Sequence, residues 1–184
     1  MPLPMPSPMP SPPSVFLYGL GRPLLVCHAV AALVLCGASV HQTVYALAML
    51  RRRVTARRLH LARLFSRITL LSYAVVMGLG SLLYPRYRVF VRGLFLDRHA
   101  PWASNLFDFK ENLATLGLPF AVGAVVLTAQ LGRVDRALSD DPLAGRGSLR
   151  DKLVRLYVLF ALGTATIAIF NALSGLLVTS VRGI

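Results

Sequence analysis

The chain has 184 residues, 55% of them hydrophobic, a mean hydropathy of +0.63 and only 15% charged residues, against about 25% in a typical soluble domain. Its formal net charge is +13, from 20 Lys and Arg against 7 Asp and Glu. So much apolar surface excludes an ordinary soluble domain, and the clustering of the cations beside apolar runs excludes the nucleic-acid-binding role that such a charge suggests in a soluble chain.

The chain opens on MPLPMPSPMPSPPS. Proline at that density forces extended, polyproline-like chain and forbids a helix, so residues 1–22 are expected to form a disordered Pro-rich tail. Residues 23–184 are expected to form a single four-helix transmembrane domain. Its apolar runs, at about 24–50, 65–83, 113–131 and 153–181, each reach the ~20 residues that an α-helix needs to cross ~30 Å of hydrocarbon.

Pro23 can open the first span, since the missing N–H is unpaired there in any case. A secretory signal would need a basic start and an apolar stretch of about 7–15 residues. Only Arg22 precedes this run, which continues to Leu50. Cys27 and Cys36 lie about 13 Å apart along one helix, too far to pair with each other.

Arg51, Arg52, Arg53, Arg57, Arg58, Arg63 and Arg67 crowd the connection to the second span, with Leu59, Leu61 and Leu64 among them. This pattern predicts a basic helical hairpin. A second basic group, Arg133, Arg136, Arg146, Arg150, Lys152 and Arg155, brackets the polar 135–150 connection between the third and fourth spans, which is expected to be a solvated loop. By the positive-inside rule both connections face the cytoplasm. The predicted fold is therefore all-α, an integral membrane bundle of four transmembrane helices in up-down topology, N-out and C-out. The preference for arginine over lysine suggests a GC-rich bacterial genome, and hence a multi-pass protein of the inner (cytoplasmic) membrane whose first partner is the lipid bilayer.

Between the second and third spans, residues 84–102 interleave aromatic residues with arginines. Such residues favour the headgroup zone, and a segment lying along the outer interface or folding over the bundle mouth is expected. The third span is expected to start near Asp108, Lys110 and Glu111, where the acids Asp108 and Glu111 suit the positive end of a helix dipole. Pro119 should free the carbonyl near Thr115 and kink that span. The second span offers an inward face at Thr69, Tyr73 and Gly80, the fourth at Thr164, Ala168, Asn171, Ser174 and Gly175. Close approach through small residues is the usual way that spans associate, and Asn171 is expected to bond across the bundle.

Polar groups inside spans raise functional hypotheses. The outer-rim candidates are Tyr84, Arg88, Lys110, Glu111 and Asn171, which could accept a cation, a proton or a quinone headgroup. His28 and His41 lie thirteen residues apart on the first span, about 20 Å along the axis and on different faces, so one metal cannot take both. His99 could approach His28, and His60 could approach His41. This thirteen-residue spacing resembles that of membrane b-type cytochromes, and the resemblance implies axial ligation of haem b. Those proteins carry matching histidines on a second spanning helix, and the other three spans here contain none.

No zinc spacing, phosphate loop, nucleophile elbow or paired catalytic carboxylates are present in the sequence. No catalytic residue, metal site or cofactor is nominated outright. The leading expectation is a small accessory subunit that contacts a membrane-protein partner or its own copies. The alternative is a redox protein that binds b-type haem or quinone, with His28, His41 and His99 as ligands.

Overall fold

The computed structural model describes residues 18–51, 54–140 and 147–181; the expected tail, up to residue 17, lies outside them. Every described element is helical. A short 3-10 turn, Tyr18–Leu20, leads into α1, Gly21–Arg51. Then follow α2, Ala56–Arg86, a π-helical segment, Tyr87–Leu96, a single turn α3, Asp97–His99, and the long helices α4, Pro101–Asp140, and α5, Gly147–Val181. Four of the helices are long and apolar enough to cross a membrane.

Thr55 starts α2: its backbone is extended, and its hydroxyl accepts the Arg58 N–H at 3.3 Å, which satisfies one of the free donors of a helix N-terminus. At the far end, Pro85 withholds a backbone N–H just before the winding widens into the π-helical segment. Helical structure nevertheless continues without a break, and 56–99 form one helical stretch of 44 residues. At α-helical or π-helical rise this is on the order of 60 Å, twice the hydrocarbon thickness. The aromatic-arginine stretch is thus helical from Tyr84 to His99. It continues α2 beyond the apolar part of the bundle and returns through Ala100 into α4, making a helical hairpin. The start of α4 at Pro101 also places Asp108 two turns inside the helix, not at its first turn. At the other end α4 runs to Asp140 and α5 starts at Gly147, so ten of the sixteen residues of the expected 135–150 loop are helix.

The helices pack as antiparallel neighbours, α1 against α2 and α5, and α4 against α5 and α2. His41 stacks on Phe65 at 5.0 Å, and the His28 imidazole lies over Gly80, with Cε1 3.4 Å from where a Cβ would stand. Between α4 and α5 the fit is reciprocal: Phe120 lies on Gly163 and Phe160 on Gly123, with the two rings 5.2 Å apart. Glycine is needed at both positions because a Cβ would occupy the ring of the facing helix, and such small residues let spans approach closely.

The core is divided along the bundle. Ala46, Leu59, Ala62, Ala124, Leu131, Val154 and Tyr157 fill the half nearest the arginine-rich connections. A smaller cluster of Leu35, Tyr73, Ala121 and Ala168 follows. Tyr87, Val91, Leu96, Ala103, Phe107 and Val178 form the third, inside the hairpin and against the end of α5. Thr69, Tyr73, Thr164, Ala168 and Ser174 are buried as their spacing predicted. Several polar side chains tie one helix to the backbone of another: Thr43 donates to the Ala161 carbonyl at 3.1 Å, Arg63 Nε to Thr128 O at 3.1 Å, and the Tyr73 hydroxyl to Ala114 O at 2.9 Å.

Candidate functional site

The hairpin end gathers most of the polar chemistry. Phe107 of α4 is its centre: Tyr87 stacks on it with centroids 3.8 Å apart, Tyr84 lies at 6.5 Å, and the Lys110 ammonium sits 4.2 Å from the ring centroid. A cation over an aromatic face is attracted by the ring quadrupole. Above this stack, Arg92 grips Asp108 with both terminal nitrogens, at 2.6 and 2.9 Å. Its Nε faces Asp97 at 3.7 Å, and Asp97 also accepts from the Ser104 hydroxyl at 2.6 Å. Two parallel N–H···O bonds fix the geometry of such a pair as well as its energy. The π-helical segment and α4 are thereby clamped together.

Glu111 lies within electrostatic reach of Lys110 and Tyr87, and Lys110 within reach of His28. The sequence-based reading of a rim around His28, Tyr84, Lys110 and Glu111 thus corresponds to one neighbourhood. Asn171 does not join it: its amide Nδ2 donates to the Ile167 carbonyl of its own helix at 2.9 Å. An asparagine on a helix can always satisfy itself one turn back, and here it does so instead of bonding across the bundle. Arg88 is exposed on the outside of the hairpin.

The histidines stay apart. His28 is half-buried on α1, and its Nδ1 is buried without a hydrogen-bond partner. His41 is exposed and its Nδ1–H donates to Gly37 O at 2.8 Å. His99 lies at the hairpin tip, where its ring stacks on Phe95 at 4.9 Å and Nδ1 meets Phe95 O at 3.0 Å. Nineteen residues of helix separate His99 from Gly80, the residue under His28, or roughly 25 Å. Among the described residues no three His, Cys, Asp or Glu side chains form a group able to hold a metal ion. Cys27 and Cys36 are both free thiols.

The residues that close this end, Tyr87, Arg92 and Asp97, lie in the aromatic-arginine segment that the sequence places at the rim, but nothing in the sequence singles them out within it. The only signal was the run of Arg92, Asp97 and Asp108 in a segment too polar for a span, and it becomes a clamp only once both strands of the hairpin are known to be helical. The charges of this end include two cations, Arg92 and Lys110, against three carboxylates, Asp97, Asp108 and Glu111, and the Arg92 pairs hold the segment to α4. Two polar atoms remain without partners, the buried Tyr87 hydroxyl and His28 Nδ1. Around them the surface is apolar: Leu94, Trp102 and Phe109 are each more than half exposed.

A second polar group lies inside the bundle. Gln42 is completely buried and neither its Oε1 nor its Nε2 has a partner; Thr69 Oγ1 is likewise buried and unpaired. The neighbours of Gln42 do not reach it: Thr43 bonds to the Ser39 carbonyl and across to the Ala161 carbonyl of α5, and the exposed His41 bonds to Gly37 O of its own helix. Comparison with protein-family models, with characterised proteins and with solved structures found no match.

Proposed function

We propose that the protein is a small, non-catalytic accessory subunit of a bacterial inner membrane, with its N- and C-termini and the hairpin outside and both arginine-rich connections in the cytoplasm. The observation that carries this reading is the hairpin. Two spans run on past the membrane thickness into a segment with its own apolar cluster, its own ion-pair clamp and exposed Leu94 and Trp102 near the tip. A span needs no such extension to anchor a chain, and aromatic side chains at an exposed surface are the usual anchors of protein contacts. The partner is another membrane protein whose extramembrane surface meets this tip.

Two measurements test the proposal. Reporters inserted at 141–146 and after Ile184 should be active only in the cytoplasm and only outside it, respectively; the reverse pattern rejects the orientation. A photo-crosslinking residue at position 102 in intact cells should give one discrete heavier adduct that disappears with Leu94→Ser. Adducts equally strong from lipid-facing position 126, or none from 102, would sink the accessory reading. The redox alternative has its own test in the absorption spectrum of protein purified from haem-supplemented cells. No Soret band is expected, since His28, His41 and His99 occupy separate levels of the molecule; a Soret band with a sharp reduced α-band would reinstate haem.

A further inference from the structure

At the end of the bundle opposite the hairpin, two half-open grooves meet on one side chain. The larger, about 460 Å³, lies between the end of α1 and the start of α5, where Arg51, Val54, Arg150, Asp151 and Arg155 are among its walls. The smaller, about 340 Å³, follows Val44, Leu47 and Ala48 along α1 and ends at Arg51 and Arg58. Arg51 belongs to both. One groove therefore offers three guanidinium groups against one carboxylate. The other is aliphatic and runs about 10 Å along α1, from Arg51 toward the middle of the bundle.

We infer that this end binds an anionic glycerophospholipid, its phosphate held among Arg51, Arg150 and Arg155 and one acyl chain laid along Val44, Leu47 and Ala48. The inference goes beyond the accessory reading and does not depend on it. Arg150 is already fixed in the wall: Nη2 donates to the Val54 carbonyl at 3.1 Å and pairs with Asp135 at 3.3 Å. Its Nε is buried and makes no hydrogen bond. A desolvated donor without an acceptor is unfavourable, and a phosphate supplies acceptor oxygens in the geometry that guanidinium groups match. Arg51 and Arg155 are exposed, as arms that close on an anion from the membrane surface must be. Basic pockets between spans at this depth are suited to anionic headgroups. Free phosphate shares the headgroup chemistry, but it leaves the aliphatic groove without a role. A chain that descends from Arg51 toward the bilayer centre is the direction an acyl tail takes from its headgroup, so the lipid is the source that both grooves fit.

The test uses the full chain in a neutral detergent, with dioleoyl phosphatidylglycerol, dioleoyl phosphatidylcholine or inorganic phosphate added at equal concentration. Melting and native mass spectrometry are the readouts. Phosphatidylglycerol should raise Tm and remain bound at one molecule per chain, while phosphatidylcholine and phosphate do neither. The double variant R51Q/R155Q should weaken phosphatidylglycerol binding by about tenfold or more. R133Q removes an exposed arginine of the same end that lines neither groove, and it should leave binding essentially unchanged. Because loss of arginines can disturb folding, Val44→Trp provides a charge-neutral check: Val44 is 55% exposed, and an indole there should block the aliphatic groove and displace the lipid. Equal weakening by R133Q would show diffuse surface charge instead of a site. Equal retention of phosphatidylcholine, binding unaffected by Val44→Trp, or a Tm rise with inorganic phosphate alone would each overturn the lipid assignment.

Discussion

Arginine is used in opposite ways at the two ends of this bundle. In the hairpin, Arg92 meets carboxylates, Asp108 at 2.6 Å and Asp97 at 3.7 Å. At the other end, Arg63 and Arg136 donate to backbone carbonyls, those of Thr128 and Gly132, while Arg150 combines the Val54 carbonyl with the Asp135 carboxylate. A carboxylate partner neutralises the cation, whereas a carbonyl partner holds it in place and leaves its charge intact. Within the hairpin, Arg92 and its two carboxylates thus hold the π-helical segment to α4. The basic end keeps an excess of positive charge, and on that excess rest both the orientation and the lipid site proposed above.

The largest effects should come from the aromatic residue at the centre of each end. Tyr157 is fully buried in the basic half, and Tyr157→Ala should destabilise the whole bundle by about 3–5 kcal/mol, the usual range for removing a buried aromatic ring. Phe107→Ala removes a ring of comparable size from between Tyr84, Tyr87 and Lys110. Its loss should stay local: rapid proteolysis within 84–110, with protection retained at 56–70 and 150–165. The comparison breaks if both variants lower protection uniformly along the chain, because the two ends would then be one cooperative unit.

Next in size is the clamp. Arg92 and Asp108 side chains are 30% and 43% exposed, so solvent screens the pair and Arg92→Gln should loosen the hairpin by only about 1 kcal/mol. Hydrogen exchange should quicken for amides at 88–108 and stay unchanged at 60–70. High salt should reproduce this change in the unsubstituted protein. Salt that loosened the Arg63 and Tyr157 region instead would assign the screened interactions to the wrong end.

Much of the bundle was legible in the sequence, and the reason is the solvent. Lipid leaves a spanning segment no option but to satisfy its backbone internally, so the four apolar runs marked the helices of 24–50, 65–83, 113–131 and 153–181, and the small faces at Thr69, Tyr73, Thr164 and Ser174 marked what is buried. Residues 84–112 carry too many charges to be read in that way. There the Tyr, Arg and Asp pattern suits a strap on the interface and a helical hairpin equally well, and only the pairing of Arg92 with Asp108, sixteen residues away, distinguishes them. Asn171 failed for a related reason: spacing locates the face of a helix, but not whether an amide on it bonds outward or back to its own turn. Gln42 was legible as polar and not as unsatisfied, since partnership is a property of the facing helices.

That unsatisfied amide gives an effect of similar size and opposite sign. Gln42 is fully buried with both amide atoms unpaired, so Gln42→Leu removes the desolvation penalty at nearly constant volume. The substitution should stabilise the bundle by about 1–2 kcal/mol in chemical denaturation. Destabilisation of the same size would mean that Gln42 is hydrogen-bonded in the membrane, to water or to a ligand inside the bundle.

The smallest effect belongs to the polar contact that does close within the basic half. Ser66 Oγ lies 3.1 Å from the Tyr157 hydroxyl and donates to Ala62 O at 2.8 Å. Tyr157→Phe keeps the ring and deletes only the hydroxyl, and Ser66 retains its carbonyl partner, so nothing buried becomes newly orphaned. Hydrogen bonds between spans average about 0.6 kcal/mol because the same groups also find partners when the helices separate in lipid, and a loss near that value is expected from the denaturation midpoint. A loss above about 2 kcal/mol would exceed what one such bond supplies. It would mean that the Tyr157 hydroxyl is one link of a larger polar chain through the bundle, extending toward Gln42 and Thr69, and that the basic half is held together by polarity as much as the hairpin is.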